Sequence, residues 1–422
     1  VTNIFNNHFS KVAKDIGKDL TEKDALQKKN YRPVSVLPIK SKVFERAMVD
    51  QLIGHFRELF HTCLSAYRSG YSCQSALLAL TEDWRKALDD GRYVGAILMD
   101  LSKAFDCLPH NLILEKLIAY QASDSAVSLL RSYLTGIEQC VKMGNAQSEF
   151  LPLIKGVPQG SIAGPVLFNV FINDIFYSIN KTDLYNYADD NTISYSHKNY
   201  TTMKRTLEAD GSALLDWFTI NQMQANPGKF QGLAVGKKTH AKKPTYSIQG
   251  VYIECTDEAK LLGVILDYKL NFDAHISIMT KKIGRQINIL KRIGQYLPIS
   301  CRKTIYQCFI QSNFNFCPII WHFCSASNTK KLEKLNFRAL RLVYKDHTSS
   351  YETLLALDSS VSLHLRRQRT IAEEVYRILE NTLLVLNSMV QFLYIFSLKD
   401  SIVVDLTSDQ LSKYNTGCKL GK

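Results

Sequence analysis

Leu184-Tyr185-Asn186-Tyr187, Ala188-Asp189-Asp190-Asn191 and Thr192-Ile193-Ser194-Tyr195 form two β-prone runs around four turn-forming residues. The pattern predicts a hairpin with carboxylates at its tip. A second acid is placed in a similar way. Tyr93-Val94-Gly95-Ala96-Ile97-Leu98-Met99 is an apolar run bounded by the Asp89-Asp90-Gly91 turn and by Asp100. It predicts a buried strand ending in an aspartate. For any single aspartate the ordinary explanation is an N-cap or a turn. That explanation weakens when two strand ends carry acids, because burying an unpaired carboxylate is costly. If the strands are neighbours in one sheet, three carboxylates converge at one edge and repel unless cations sit among them. Mg²⁺ takes one or two carboxylates plus substrate phosphates, and a metal pair clamps the attacking and leaving oxygens in phosphoryl transfer. The expected chemistry is two-metal work on a phosphate ester.

Outward from these strands, Val43–Leu59 and Gln74–Leu88 carry apolar residues at helical spacing, and Asn111–Ala119 is helical again. Leu167–Ile175 follows Pro165 and is expected as a helix, since proline is favoured in a first turn. Past Pro227-Gly228 come short strands such as Leu261–Leu266, and from about Ile276 helices dominate. No period of 20 to 50 residues recurs, which excludes a repeat array. The order predicts an α+β core with a helical annex.

The 422 residues are 46% hydrophobic and 22% charged, which excludes a disordered or fibrous chain. Lys+Arg 52 against Asp+Glu 39 gives +13, pointing to a polyanionic partner. The excess is concentrated between Lys281 and Lys345. There Lys281, Lys282, Arg285, Lys291, Arg292, Arg302, Lys303, Lys330, Lys331, Lys334, Arg338, Arg341 and Lys345 face one acid, Glu333, with Tyr296, Tyr306, Trp321 and Phe337 interleaved. Cations for phosphates plus aromatic stacking surfaces are what a nucleic-acid groove requires. A solvated helix face is the plain alternative, and the segment alone leaves the two level.

The ten cysteines lack the density of a secreted disulfide scaffold and are expected as reduced thiols in the cytosol or nucleus. Cys317, His322 and Cys324 have irregular spacing and no fourth ligand nearby, so zinc is not expected. Leu383–Leu398 is the greasiest stretch, but it is interrupted by Asn387, Ser388 and Gln391. A membrane span needs about 20 mostly apolar residues, so this stretch is expected as a buried helix or strand. Val1–Leu20 is broken by polar residues and does not resemble a signal peptide. A chain that opens on Val1 rather than Met suggests a piece of a longer product.

Tyr187-Ala188-Asp189-Asp190 resembles the YxDD box of reverse transcriptases. Leu98-Met99-Asp100-Leu101-Ser102-Lys103-Ala104-Phe105-Asp106 resembles their first catalytic motif, in the form found in non-LTR (LINE, jockey-like) retrotransposons. Gly156-Val157-Pro158-Gln159-Gly160-Ser161 with Gly164-Pro165 is similar to the next motif. A lone Asp-Asp pair is weak, whereas three boxes in order, 89 residues from Asp100 to Asp189, are specific. Asn30-Tyr31-Arg32-Pro33-Val34-Ser35 and Ala66-Tyr67-Arg68-Ser69-Gly70 resemble the fingers motifs. Asn226-Pro227-Gly228-Lys229 and Leu261-Leu262-Gly263-Val264 resemble the later palm motifs. Cys317-Pro318 through Trp321-His322 and Leu332–Tyr344 resemble the thumb of jockey-like elements. The resemblance covers roughly Tyr31 to Glu380.

This resemblance implies a right-hand polymerase of α+β class, with fingers, a palm with an antiparallel sheet, and a helical thumb. Residues 1–30 would be an N-terminal segment, 31–92 fingers, 93–275 palm with inserted finger elements, 276–380 basic thumb and 381–422 a tail. The implied activity is that of an RNA-directed DNA polymerase, a nucleotidyltransferase copying element RNA into cDNA during retrotransposition. Its cofactor would be two Mg²⁺ ions, with Mn²⁺ as a substitute. Its partners would be an RNA template, a DNA primer and dNTPs, with no membrane and no obligate protein partner. Nuclear localisation, with a cytoplasmic ribonucleoprotein stage, follows from the family alone.

Residue by residue, Asp100 and Asp189 would bind the metals, with Asp190 in support and the Leu101 carbonyl as a further oxygen. Phe105 would be the steric gate against a 2′-hydroxyl. Gln159 and Gly160 would lie against the incoming nucleotide, and Arg32 and Arg68 would clamp triphosphate or template. Lys229 would be a general acid for pyrophosphate departure. Lys281, Lys282, Arg285, Lys291, Arg292, Lys330, Lys331, Lys334, Arg338 and Arg341 would grip nucleic acid. Only about ten residues separate Thr21 from Tyr31, fewer than the family has there, and no accompanying endonuclease region is seen. Both features suggest the alternative of an inactive, decayed element copy that retains nucleic-acid binding. An RNA-making polymerase is disfavoured by the bulk of Phe105.

Overall fold

The computed structural model describes residues 34–236 and 244–379. Its organising strand is β1 (Tyr93–Asp100), buried along its length as the apolar run predicts. Successive side chains of a strand point to opposite faces, so β1 feeds two cores. Val94, Ala96 and Leu98 pack into one; Ile97 and Met99 pack into the other.

Upstream of β1 lie α1 (Ile39–Phe56) and α2 (Cys73–Asp89). Downstream come α3 (His110–Ala119) and α4 (Asp124–Leu134), then four two-residue strands, β2 (Glu138–Gln139), β3 (Lys142–Met143), β4 (Ala146–Gln147) and β5 (Leu151–Pro152). They are followed by α5 (Ala163–Ile172), β6 (Asp183–Tyr187), β7 (Asp190–His197), α6 (Tyr200–Ile220) and β8 (Gln231–Val235). Next are β9 (Thr245–Ile248), β10 (Val251–Thr256), β11 (Glu258–Leu261) and β12 (Val264–Asp267). The helical annex is α7 (Asp273–Ile293), α8 (Ile299–Ile305), α9 (Ala326–Tyr344), α10 (Tyr351–Leu357) and α11 (Leu363–Leu379). Among the described residues no helix is long and apolar enough to cross a membrane.

The main sheet runs in the order β6-β7-β1-β8-β10-β9. β1 is antiparallel to both neighbours, and only the short β8–β10 contact is parallel. α6 covers one face. A Cβ added at Gly95 would meet the Met203 sulfur, and also the Tyr246 hydroxyl at 2.7 Å, so only glycine fits under that helix. α2 covers the other face, where Trp84 donates its indole N–H to Ser194 Oγ at 2.7 Å. Ser72 starts α2 by a reciprocal capping box with Ser75.

The helices expected at Val43–Leu59, Gln74–Leu88 and Asn111–Ala119 are present with ends moved by a few residues. The one expected at Leu167–Ile175 begins earlier, at Ala163, and tightens into a 3-10 turn after Ile172. Leu261–Leu266 is not one strand. It is a hairpin, β11 turning into β12 through Leu262 (φ 45°) and Gly263 (φ 83°), two left-handed residues that reverse the chain. Leu383–Leu398 lies outside the described residues.

Glu333, the lone acid of the basic segment, has a structural task. Its carboxylate accepts from the Tyr351 hydroxyl at 2.6 Å and from the backbone N–H groups of Leu363 and His364, so it caps α11. Arg302 is buried too, donating to the carbonyls of Val343 and Leu297, and Lys303 pairs with Asp358 at 3.2 Å. Arg302 is thus part of the fold rather than of a surface, and Lys303, although partly exposed, is tied down by its ion pair. Cys317 and Cys324 are buried beside Trp321 in the same core.

His275, buried on α7 near Trp321, has its pKa pushed down to about 4 by burial. Above pH 6.5 the imidazole is neutral in both folded and unfolded chains, so stability there is unaffected. As pH falls from 6.5 towards 4 the unfolded chain takes up a proton that the fold refuses, and stability is lost, by up to about 3 kcal/mol. Urea denaturation of the wild type at pH 7 and pH 4.5, compared with His275→Phe, should show the acid sensitivity reduced in the variant.

Candidate active site

The register of β1 against β7 pairs Asp100 with Asp190. Beyond Asp100 the chain continues beside residues 224–226: Asn226 N–H donates to the Asp100 carbonyl at 3.0 Å and Ser102 N–H to the Gln224 carbonyl at 2.8 Å. Backbone groups alternate in direction along an antiparallel strand. The Leu101 carbonyl therefore faces the other way, towards the β6–β7 hairpin. Asp100 and Asp190 are then a non-hydrogen-bonded pair, the kind whose side chains approach most closely.

The hairpin tip is tighter than the four residues expected. Asp190 is within β7, opposite Tyr187, and only Ala188 and Asp189 form the loop. Ala188 has a φ of 55°, a backbone state that glycine usually takes, as the first loop residue of a type II′ turn requires. Two buried amides brace it. Asn186 Nδ2 donates to the Ala188 carbonyl and to Asn191 Oδ1, at 2.8 and 2.9 Å, and Asn191 Nδ2 donates to the Asp189 carbonyl. Asp189 is thereby fixed next to the Asp100–Asp190 pair.

Asp100 is occupied by a cation of this chain. Lys229, on the 3-10 turn Pro227–Lys229, places its ammonium 2.9 Å from Asp100 Oδ2. Among the described residues no group of three or more His, Cys, Asp or Glu side chains is gathered closely enough to hold a metal by itself. The donors present are hard oxygens, which fit a divalent cation that takes few protein ligands and leaves its other positions to water and phosphate, although Lys229 would have to give up Asp100 to it. A cavity of about 370 Å³ opens beside the pair, lined by Asp100, Asp190, Lys229, Phe230, Gln231 and Lys260 among others. Lys260, on β11, was not singled out in the sequence. The signal was the alternation in Glu258-Ala259-Lys260-Leu261, whose polar members face away from the core.

Phe105 lies in the 3-10 turn Ala104–Asp106, stacked on buried Phe168 with ring centroids 4.6 Å apart. The loop after Asp100 is zipped to the Pro-Gln-Gly loop. Val157 N–H donates to the Phe105 carbonyl, Gly156 N–H to the Leu108 carbonyl, and Gln159 Nε2 to Asp106 Oδ1 at 2.7 Å. Gly156 has a φ of 84°, and a Cβ there would fall 2.6 Å from the Asp106 carbonyl oxygen. Gly156→Ala is therefore expected to part the two loops and to cost on the order of 3 kcal/mol, read from the urea midpoint. Gly160 also has a positive φ, and the Gln159 carbonyl accepts from Ser35 N–H at 2.7 Å, which carries the first fingers-like segment across this loop.

Arg32 lies outside the described residues. Arg68 is half-buried, and its Nη1 donates to the carbonyls of His61 and Leu64 at 2.7 and 2.9 Å. Burial pushes its pKa down. Arg68 is thus seen holding its own loop. Lys281, Lys282, Arg285, Lys291 and Arg292 on α7 are exposed, as are Lys330, Lys331, Lys334 and Arg338 on α9. Arg338 donates to Asn288 Oδ1 of α7 at 2.8 Å, which makes the two basic faces continuous. Arg341 is half-buried, its guanidinium over Phe337 at 4.1 Å.

The chain is 26% identical over 327 residues to the "Probable RNA-directed DNA polymerase from transposon BS" of Drosophila melanogaster, covering 74% of this chain and 36% of that protein. It is 25% identical over 337 residues to the "RNA-directed DNA polymerase from mobile element jockey" of Drosophila funebris, covering 76% and 36%. The chain thus spans about a third of the length of these relatives. Among solved structures it is similar to apo telomerase from Candida tropicalis, with a TM-score of 0.43 and 13% identity over 82% of this chain and 55% of that one. The profile of the family "Reverse transcriptase (RNA-dependent DNA polymerase)" matches residues 20–266, more than half of the 422. With its motif carboxylates in register at the end of a central antiparallel pair, this chain belongs to the reverse transcriptase family.

Proposed function

We propose that the chain adds dNTPs to the 3′-hydroxyl of a DNA primer on an RNA template, copying the RNA of a non-LTR element in the nucleus. The observation that carries this is the Asp100–Asp190 register, which brings two separate motifs to one point. On this reading residues 31–92 are fingers, 93–275 palm and 276–380 thumb. Asp100, Asp189 and the Leu101 carbonyl would hold two Mg²⁺ ions, with Asp190 in support; when bound, these stabilise charge on the attacking and leaving oxygens.

The remaining roles belong to the chain itself. Phe105, backed by Phe168, presents a rigid ring to the sugar. Gln159 is oriented by Asp106, and Gly160 lets the backbone approach the nucleotide. Lys229 sits on Asp100, so acting as an acid on pyrophosphate requires it to swing away when Asp100 takes up a metal. The braced hairpin keeps Asp189 in place without reorganisation, as electrostatic preorganisation requires.

Single dTMP addition to oligo(dT) on poly(rA) tests the proposal: product in Mg²⁺, and none after chelation, is the expected result. The continuous basic face of α7 and α9 would carry the duplex phosphates. Changing Lys281, Lys282 and Arg285 together to Ala should weaken primer–template binding and flatten its log–log salt slope by about 2 to 3 units. Filter binding across a salt series measures both. An unchanged slope would move the nucleic-acid path elsewhere.

A further inference from the structure

Tyr67 has a backbone φ of 56°, in the left-handed region that a bulky residue enters only under constraint. The constraint is visible on both flanks. The Ala66 carbonyl accepts from Asn169 Nδ2 of α5 at 2.8 Å, a buried bond. Arg68 is pinned by the carbonyls of His61 and Leu64, and its guanidinium lies 4.4 Å from the Tyr71 ring centroid. Held between these two clamps, the Tyr67 side chain does not enter the core; it is 49% exposed. Its ring stands at 87° to that of Phe105, with centroids 6.0 Å apart. A strained residue of the 66–70 segment thus meets the ring that follows Asp100.

We propose that Tyr67 is a positioning residue for sugar selection, fixing the Phe105 ring so that it blocks a 2′-hydroxyl on the incoming nucleotide. This rests on the nucleotide site described under the proposed function. Phe168 supports Phe105 by stacking, and the perpendicular Tyr67 ring restrains it from the exposed side of the loop that bears it. Perpendicular aromatic pairs hold a defined mutual geometry, which is what a gate needs. The two clamps are then accounted for: they keep an unfavourable backbone state in which the ring is presented outward rather than buried.

Tyr67→Gly separates this role from a merely structural one, because glycine takes a positive φ without strain. The variant should unfold at a temperature equal to or above that of the wild type. The measurement is dTTP and UTP affinity in ternary complexes on poly(rA) with a dideoxy-terminated oligo(dT) primer, in Mg²⁺, which needs no turnover. In Tyr67→Gly the ratio of UTP to dTTP dissociation constants should fall by about tenfold, and Tyr67→Phe, which keeps the ring, should retain the wild-type ratio. An unchanged ratio in Tyr67→Gly, alongside a collapsed ratio in Phe105→Ala, would overturn the role of Tyr67 alone. An unchanged ratio in both, or no dTTP-dependent complex with the wild type, would overturn the nucleotide site on which it rests.

Discussion

Asp189→Asn is expected to lower dTMP incorporation by about a thousandfold or more, equivalent to ~4 kcal/mol of transition-state stabilisation, with the fold intact. The loop holding residue 189 is braced by backbone contacts to Asn186 and Asn191, none of which uses the Asp189 carboxylate. An amide can keep the shape of the turn, but it lacks the charge to hold a divalent cation. Asp100→Asn should do the same to turnover. It also dissolves the ion pair with Lys229, a side chain 63% exposed, and such surface pairs contribute at most about 1 kcal/mol. Steady-state rates set beside thermal unfolding check both variants. Wild-type rates in either would remove that residue from the site.

Phe105→Ala should raise ribonucleotide use relative to deoxyribonucleotide use by about 10- to 100-fold. The ring is half-buried, so truncation also costs stability, on the order of 2 kcal/mol, as contact with Phe168 is lost. The two effects are separable. A core phenylalanine with no part in selection would give the stability loss and leave the dTTP/UTP ratio untouched. Phe105→Tyr, which keeps the bulk, should preserve the ratio.

Much of this was legible because the deciding segments obey local rules. The apolar run before Asp100 has one sensible reading, and the two β-prone stretches around Ala188-Asp189 can hardly be anything but a hairpin. The loop length was not legible. A two-residue turn puts Ala188 in a backbone state that its side chain disfavours, and the Asn186 and Asn191 amides that brace it there act through side-chain-to-backbone bonds within the hairpin that no alternation of apolar and polar residues announces. Helix α6 was concealed by Asp210-Gly211 at its centre, a turn signal in sequence. In the fold Asp210 accepts from the backbone N–H groups of Lys181 and Thr182, and Gly211 leaves room for Ile248, so tertiary contacts set those residues. Leu261–Leu266 misled for the opposite reason: its apolar pattern continues straight through a chain reversal. The pairing of Lys229 with Asp100 joins residues far apart in sequence, and no spacing rule anticipates it.

Charge was legible as a total but not as a surface. Buried Arg302 and the half-buried, bonded Lys303 and Glu333 brace the helical annex, whereas α7 and α9 carry the exposed cations on adjoining faces. The density of cations along the chain cannot tell the two uses apart, because both satisfy the same helical spacing.

The central claim is that carboxylates brought together at the ends of β1 and the β6–β7 hairpin drive RNA-templated DNA synthesis. Its most direct test is extension of oligo(dT) on poly(rA) with Mg²⁺ and dTTP, wild type beside Asp189→Asn. A product ladder from the wild type and none from the variant is the predicted result. Equal ladders from both, or no ladder from a wild type that still binds primer–template in a salt-dependent way, would contradict it.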